Sequence, residues 1–269
     1  MNADEMGSEQ VSVARLIDRA WGDFDMRLTS IRALYVVWGS LNGVDDLVQR
    51  FCVAKGEADL LDKRRRRTEQ QEDRFYDIQN RAESAVRYFE WARSNEGQPI
   101  LQDTLVAYVS AFENALKAVA VAFRIAALPE PRQKLHFISN QNFRKVIKDV
   151  QDVWRGKARR GLEEPTAQSF YQSEIYAKTP DNLPYQFEPS TSEVAPQNLL
   201  SPIKHWSQIG EAFYLRNAVV HSNGRLSKQV ELGGEIFWPH DNLRLTTNTL
   251  TAVEGCLRRV LAPIDPNPL

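Results

Sequence analysis

Apolar residues recur at three- and four-residue intervals through most of the long segments of this chain. Such spacing places them along one face of an α-helix. The first segment carries Val13, Ile17, Ala20, Phe24, Leu28, Ile31, Tyr35, Trp38 and Leu41. The same spacing predicts further helices at about 100–127, 140–157 and 242–261. The sequence therefore predicts an all-α protein.

Residues 1–95 are predicted to form an N-terminal arm, either a long helical hairpin or a coiled coil. Asn42 and Gly43 favour the end of the first helix, and a second helical stretch is expected at 45–53. A third helix is expected at 58–94, where the apolar spacing resembles a heptad seam. The seam suits packing within the chain, and a contact between two chains is the alternative.

A run of five basic residues, Lys63 to Arg67, lies within the predicted third helix. Such a run can contact nucleic acid. It is bracketed by acidic residues, which can pair with it four residues away on a solvated helix: Asp59, Asp62, Glu69, Glu72 and Asp73. The solvated helix is favoured, RNA contact is the alternative, and a nuclear localisation signal is a third interpretation.

A second domain is predicted at 98–263, followed by a short tail at 264–269. Within it, prolines recur among Ser, Thr and Gln at about 157–200, which predicts an irregular insertion. The aromatic residues of this insertion could stack unpaired bases or hold the loop against the domain: Tyr171, Tyr176, Tyr185 and Phe187. A short β-hairpin is expected at 229–238, around Gly233 and Gly234.

The composition sets limits on partners and compartment. A net charge of -1 argues against a nonspecific coat on nucleic acid, so RNA binding would need a local basic surface. Cys52 and Cys256 form no disulfide framework and lack zinc spacing, which favours the cytoplasm. No signal peptide and no uncharged apolar run of membrane-spanning length is recognised. His205 and His240 have no ligand-spaced companions, so neither a metal nor a cofactor is predicted.

The segment 201–228 reads as a helix with a polar group in an apolar position. Ser201 is a good N-cap and Pro202 fits the first helical position, while Asn223-Gly224 suits the left-handed geometry that ends a helix. The apolar stripe is formed by Trp206, Ile209, Phe213 and Val220. Arg216 occupies the position that completes this stripe, and a charge there needs a partner.

Arg216, Asn217 and His221 form a predicted polar cluster at the C-terminal end of that helix. Asn217 and His221 lie one turn above the other, with Arg216 about 100° around the helix from Asn217. Histidine gains or loses a proton near neutral pH, and the arginine fork suits a phosphate. An acid/base group beside a phosphate clamp is the minimum for RNA cleavage by the ribose 2′-OH. The alternative is a capped core helix whose Arg and His make ordinary hydrogen bonds.

The segment from Arg216 to Arg225 resembles the signature of the HEPN superfamily: an Arg, a polar residue that is usually Asn, three variable residues and a His. It is especially similar to the RNase-type branch of prokaryotic defence and toxin systems. The resemblance covers about residues 98–263 and implies a HEPN-like helical bundle. Some HEPN toxins place a Tyr two positions after the His, where this chain has Asn223.

The resemblance also implies roles for individual residues. Arg216, Asn217 and His221 would be catalytic and would face their counterparts across a homodimer, which forms a composite, metal-independent endoribonuclease site. The helix that contains Glu113 is similar to the first core helix of the RiboL-PSP type of HEPN domain. Glu113 is therefore a candidate supporting residue, and a plain surface carboxylate paired with Lys117 is the alternative.

Four basic residues are predicted to bind RNA near this site: Lys157, Arg159, Arg160 and Arg225. Two hypotheses follow for the whole protein. The favoured one is an endoribonuclease in antiphage defence or a toxin–antitoxin-like system, with RNA as substrate and an antitoxin or defence protein as a partner. The other is a catalytically inactive HEPN module that dimerises and binds RNA or protein.

Overall fold

The computed structural model describes residues 13–40, 80, 84, 87–88, 90–128, 140–160, 166–178 and 202–262. Within these residues the protein is mostly helical, which confirms the predicted all-α class. The α-helices are α1 (Val13–Ser40), α2 (Gln98–Ala126), α3 (Asn140–Arg160), α4 (Thr166–Phe170), α5 (Pro202–Ser222) and α6 (Thr247–Leu261). A two-stranded antiparallel hairpin, β1 (Val230–Leu232) and β2 (Glu235–Phe237), lies between α5 and α6.

The chain divides into two compact units, Met1–Thr29 with Leu105–Leu269 and Ser30–Thr104. In the second unit, residues 90–94 are helical, and the turn at 95–97 separates them from α2. Glu96 has a positive φ of 56° there, and the Gly97 N–H donates to the Ala92 carbonyl over 2.8 Å, which is a common way to end a helix. The predicted division into an arm at 1–95 and a domain at 98–263 stays a prediction.

Aromatic side chains hold the core of the larger unit together. Phe112 on α2 is fully buried, and its ring centre lies 6.4 Å from Phe24 on α1. On its other side it lies 6.5 Å from Trp206 and 6.4 Å from Phe213, both on α5. Trp154 on α3 extends the cluster, 6.2 Å from Phe213. Each of these rings buries a large apolar area, and the tilted contacts favour one arrangement of the helices.

Helix α2 is the one described helix that is long and apolar enough to cross a membrane by length and composition. Of its most apolar 18-residue window, 56% is buried inside the protein. Core helices of soluble proteins have the same length and composition, so this feature by itself is weak evidence for a membrane.

The hairpin predicted at 229–238 is confirmed, with Val230 paired to Phe237. Its two-residue turn consists of Gly233 (φ 64°) and Gly234 (φ 79°), as a tight hairpin with this twist requires. A Cβ at Gly233 would stand 3.0 Å from the Ala252 Cβ on α6, so the turn also packs closely on that helix. Helix α6 begins after Thr246, later than the predicted start at 242, because the Thr246 side chain caps it.

Residues 166–178 differ from the irregular loop predicted for this part of the chain. They form α4, a π-helical turn (Tyr171–Ile175) and a 3₁₀ turn (Tyr176–Lys178). The buried side chains are Ala167, Phe170, Tyr171, Glu174 and Ile175, which is helical spacing. Prolines flank this stretch without interrupting it, so proline content alone was a misleading guide.

The predicted apolar stripe on α5 needs one correction. Trp206 and Ile209 are buried and Phe213 is half-buried, but Val220 is 50% exposed. The buried face continues instead through Ala212, Leu215 and Ala218. Helix α6 and strand β1 both pack against α5.

Several predictions concern residues outside the described part of the chain. They are the helix at 45–53, most of the helix at 58–94, the basic run at 63–67, Tyr185 and Phe187, and the tail at 264–269. These predictions are untested.

Candidate functional site

An ion pair between Arg216 and Glu113 is the centre of the candidate site. The Arg216 Nη2 donates to Glu113 Oε2 over 2.9 Å, which joins α5 to α2 across 103 positions of sequence. The two side chains are only 20% and 18% exposed. The charge that the sequence placed in an apolar position therefore has a carboxylate partner at the edge of the core.

Lys117 shares the same carboxylate. Its Nζ donates to Glu113 Oε1 one helical turn along α2, which confirms the spacing noted in the sequence. Two cations thus face one anion, so this cluster keeps one uncompensated positive charge. We call Arg216, Glu113 and Lys117 the α5 triad.

Aromatic rings enclose the α5 triad. The Lys117 ammonium lies 4.9 Å from the centre of the Trp154 ring, and the Arg216 guanidinium lies 5.6 Å from the centre of the Phe213 ring. Trp154 and Phe213 also contact each other. Each residue of this group therefore contacts the next, from Glu113 through the two cations to the two rings. Cation–π contacts of this kind restrain the direction in which each cation points.

One nitrogen of Arg216 has no hydrogen-bond acceptor among the described residues. Its Nε is buried and unpaired, while Nη2 is bound to Glu113. A buried donor without an acceptor costs free energy.

Asn217 and His221 lie on a different side of α5 from Arg216. Both are exposed, in the last two turns of the helix, with Val220 beside them. Five residues of helix rotation place His221 roughly 140° around the axis from Arg216. The structure therefore brings Arg216 and Glu113 together, and it leaves Asn217 and His221 facing outward.

The turn after His221 is well defined. Asn223 (φ 49°) and Gly224 (φ 74°) end the helix as predicted, and the Gly224 N–H donates to the Ala218 carbonyl over 2.9 Å. Arg225 follows with an exposed side chain, and its backbone pairs with Asn242. Arg225 is thus available to solvent close in sequence to His221.

The other predicted RNA-binding residues lie on α3. Its last turn contains Lys157, Arg159 and Arg160, whose side chains lie outside the described part of the structure.

Tyr214 is a site residue that the sequence analysis missed. Its hydroxyl accepts hydrogen bonds from the backbone N–H groups of Ser227 (2.8 Å) and Lys228 (3.0 Å) and bonds to the Ser227 hydroxyl (2.7 Å). Partial burial raises the pKa of Tyr214, but these donors and the nearby Lys228 charge outweigh it and lower the pKa. The tyrosine fastens the loop after the turn onto α5. Because Tyr214 and Ser227 are 13 positions apart, no local sequence pattern predicts this contact.

Among the described residues, no group of three or more His, Cys, Asp or Glu side chains is arranged to hold a metal ion. No protein-family model, no curated protein and no solved structure gives a match to this chain.

Proposed function

We propose that the protein is a metal-independent endoribonuclease with a HEPN-like helical bundle. In this mechanism one imidazole takes the proton from a ribose 2′-OH as its oxygen attacks the adjacent phosphorus. The P–O5′ bond breaks, and a second, protonated imidazole gives its proton to the leaving 5′-oxygen. The products are a 2′,3′-cyclic phosphate end and a free 5′-OH end, so no water or metal ion takes part in the bond exchange.

The observation that carries this proposal is the α5 triad. Glu113 and the Phe213 ring hold the Arg216 guanidinium in place, and the extra positive charge of the triad favours a phosphate. A guanidinium that is already oriented needs little rearrangement when negative charge develops on the phosphoryl oxygens. Arg216 would act as the clamp and Glu113 as its positioning residue.

His221 and Asn217 supply the groups that must reach the substrate. Both are exposed on adjacent turns, as an acid/base group and its orienting amide must be. Arg225, exposed just beyond the turn, would bind a neighbouring phosphate, as would Lys157, Arg159 and Arg160.

A homodimer would complete this site. One copy supplies one imidazole, whereas the mechanism needs a base and an acid. Val220, 50% exposed between Asn217 and His221, gives the same face of α5 an apolar contact that a second copy would cover. Two α5 helices packed by these faces would bring both His221 side chains to one cleft.

The α5 triad also favours a second candidate, a catalytically inactive HEPN module that binds RNA or protein. The ion pair of Arg216 with Glu113 and its contact with Phe213 already give this residue a structural role. An inactive module would keep the dimer face and lose any dependence on His221. By resemblance, the active enzyme would work in antiphage defence or a toxin–antitoxin-like system, with a neutralising protein partner.

The test is cleavage of end-labelled RNA by the purified chain in EDTA. We expect 2′,3′-cyclic phosphate ends, a rate that falls on both sides of an optimal pH, and loss of at least about 10²-fold in His221→Ala. Because His221 is exposed, this variant should melt like the wild type. Activity that vanishes in EDTA and returns with Mg²⁺ would overturn the mechanism, and an active monomer in sedimentation would overturn the composite site. An RNA-binding dimer without cleavage would support the inactive module.

A further inference from the structure

A pocket beside the turn that follows His221 is not used by the proposed chemistry. It has a volume of about 420 Å³ and is formed by β2 and the loop that leads to α6. Its lining combines apolar side chains with polar and charged ones, among them Leu226, Ile236, Trp238, Asp241, Asn242 and Arg244. This volume suits a small ligand.

Two large apolar side chains of this pocket are unusually open to solvent. Trp238 is 54% exposed and Ile236 is 50% exposed. Large apolar side chains in a concave site that also holds polar groups are typical of ligand sites. A tryptophan in such a position offers a flat π-surface on which another aromatic ring can stack.

Two backbone hydrogen bonds join the loop of the pocket to the segment after His221. The Leu243 N–H donates to the Gly224 carbonyl over 2.8 Å, and the His240 N–H donates to the Leu226 carbonyl over 2.9 Å. His240 adopts a positive φ of 70°, which is uncommon for a residue other than glycine and often occurs at functional sites. The pocket is therefore held in a fixed place next to the C-terminal end of α5.

The carboxylates of the pocket have different roles. Glu235 accepts hydrogen bonds from Thr246 and from the Thr249 hydroxyl, the latter over 2.5 Å, so it is engaged at the start of α6. Asp241 is exposed and lines the pocket. A carboxylate of this kind accepts from the amino group of a base.

We propose that this pocket binds an unpaired nucleobase of the RNA substrate, with the base stacked on Trp238 and its exocyclic amino group bonded to Asp241. The proposal rests on the proposed function, since it names the substrate class of the same site as single-stranded RNA. Unpaired bases are recognised by stacking on aromatic side chains and by hydrogen bonds to their edges. Because uracil has no amino group, the pocket prefers adenine or cytosine to uracil.

The experiment measures binding of fluorescent oligo(A), oligo(C) and oligo(U) to the full chain by anisotropy. His221→Ala is the background, so that no oligonucleotide is cleaved. Stacking of a base on an aromatic side chain is lost in Trp238→Ala, which should weaken oligo(A) and oligo(C) binding by roughly 5- to 150-fold. Trp238→Phe should restore most of the affinity. Asp241→Ala should bring the affinities for oligo(C) and oligo(U) together.

Trp91→Ala is the matched control. Trp91 is also 54% exposed, but it lies in the unit formed by residues 30–104. It should leave all three affinities unchanged. Equal losses in both tryptophan variants, or wild-type affinity in Trp238→Ala, would overturn the proposal. Loss of self-association in Trp238→Ala with unchanged RNA affinity would assign the surface to a contact between proteins and would also overturn it.

Kinetics with His221 intact separate this proposal from the proposed function. Trp238→Ala should raise KM for RNA and leave kcat nearly unchanged, because a stacked base would be held equally in the substrate complex and in the transition state. Cleavage with an unchanged KM would refute the pocket and leave the ribonuclease standing. RNA binding that depends on Trp238, without any cleavage, would support the pocket and refute the ribonuclease.

Discussion

Two triads of the larger unit have the same composition and differ in the hydrogen bonds that their arginine side chains make. In the α5 triad, Glu113 accepts from Arg216 and Lys117. In the second, which we call the α2 triad, Glu174 accepts from Arg124 on α2 and from Lys178. Each pairs one carboxylate with an arginine from another element and with a lysine four residues further along the chain. Charge count alone therefore cannot distinguish a functional cluster from a structural one.

The geometry of the arginine makes the difference. Arg124 donates to Glu174 Oε2 through both Nε (3.1 Å) and Nη2 (2.8 Å). Arg216 donates through Nη2 alone, and its Nε is buried without an acceptor among the described residues. In the α2 triad both of these Arg124 nitrogens therefore have an acceptor. In the α5 triad the buried Nε of Arg216 has no acceptor among the described residues, and Arg216 is adjacent in sequence to the exposed Asn217.

The largest expected difference between the triads is in activity. Arg216→Ala should lower kcat for RNA cleavage by roughly 10²- to 10³-fold if Arg216 is the proposed phosphate clamp. Arg124→Ala is the matched control, because the two arginine side chains are similarly exposed, 20% and 24%. It should leave kcat within about twofold. The measurement is single-turnover cleavage of a labelled RNA.

Equal losses of activity in the two arginine variants would contradict the difference in function between the two triads. The common cause would then be destabilisation of the unit, since each change removes one ion pair. Melting temperatures of both variants would check this point. Arg216→Lys sharpens the test further, because it keeps the charge but loses the planar fork.

The second difference is in stability. Glu174→Gln and Glu113→Gln each leave two cations without their carboxylate, and we expect losses of about 3–4 and about 2–3 kcal/mol in the free energy of unfolding. The order follows from burial, since the Glu174 side chain is 8% exposed and that of Glu113 is 18% exposed. Urea unfolding with a constant m-value measures both. Only Glu113→Gln should also reduce cleavage, because Arg216 would no longer be held in place. Reduced cleavage in Glu174→Gln alone would instead assign the functional role to the α2 triad.

The smallest expected effect is on acid stability. Burial raises the pKa of Glu174, but hydrogen bonds from Lys178 and Arg124 outweigh it and hold the pKa below its usual value of 4.5. The folded protein thus keeps this carboxylate ionised where the unfolded chain would bind a proton. Its contribution is fully present above about pH 4.5 and is lost as the pH falls through the lowered pKa. The difference in unfolding free energy between wild type and Glu174→Gln should therefore narrow below that pH. A difference that stays constant down to pH 3 would contradict this reasoning.

Local sequence patterns determined the helices, their ends and the hairpin. Pro202 and Asn223-Gly224 bound α5, Gly233-Gly234 makes the hairpin turn, and Glu113 pairs with Lys117 one turn along α2. These features were predictable because each depends on residues within a few positions of one another. The helical turns at 166–178 escaped prediction because flanking prolines masked a helical pattern that is equally local.

The tertiary structure decided where each polar side chain of α5 points. The sequence grouped Arg216, Asn217 and His221 as one cluster, whereas the fold turns Arg216 onto Glu113 and leaves the other two exposed. It also exposes Val220 and fastens Tyr214 to a loop 13 positions away. Periodicity states which residues share a helix face. It cannot state which neighbour covers that face, because this depends on how distant helices cross and rotate when their large side chains pack.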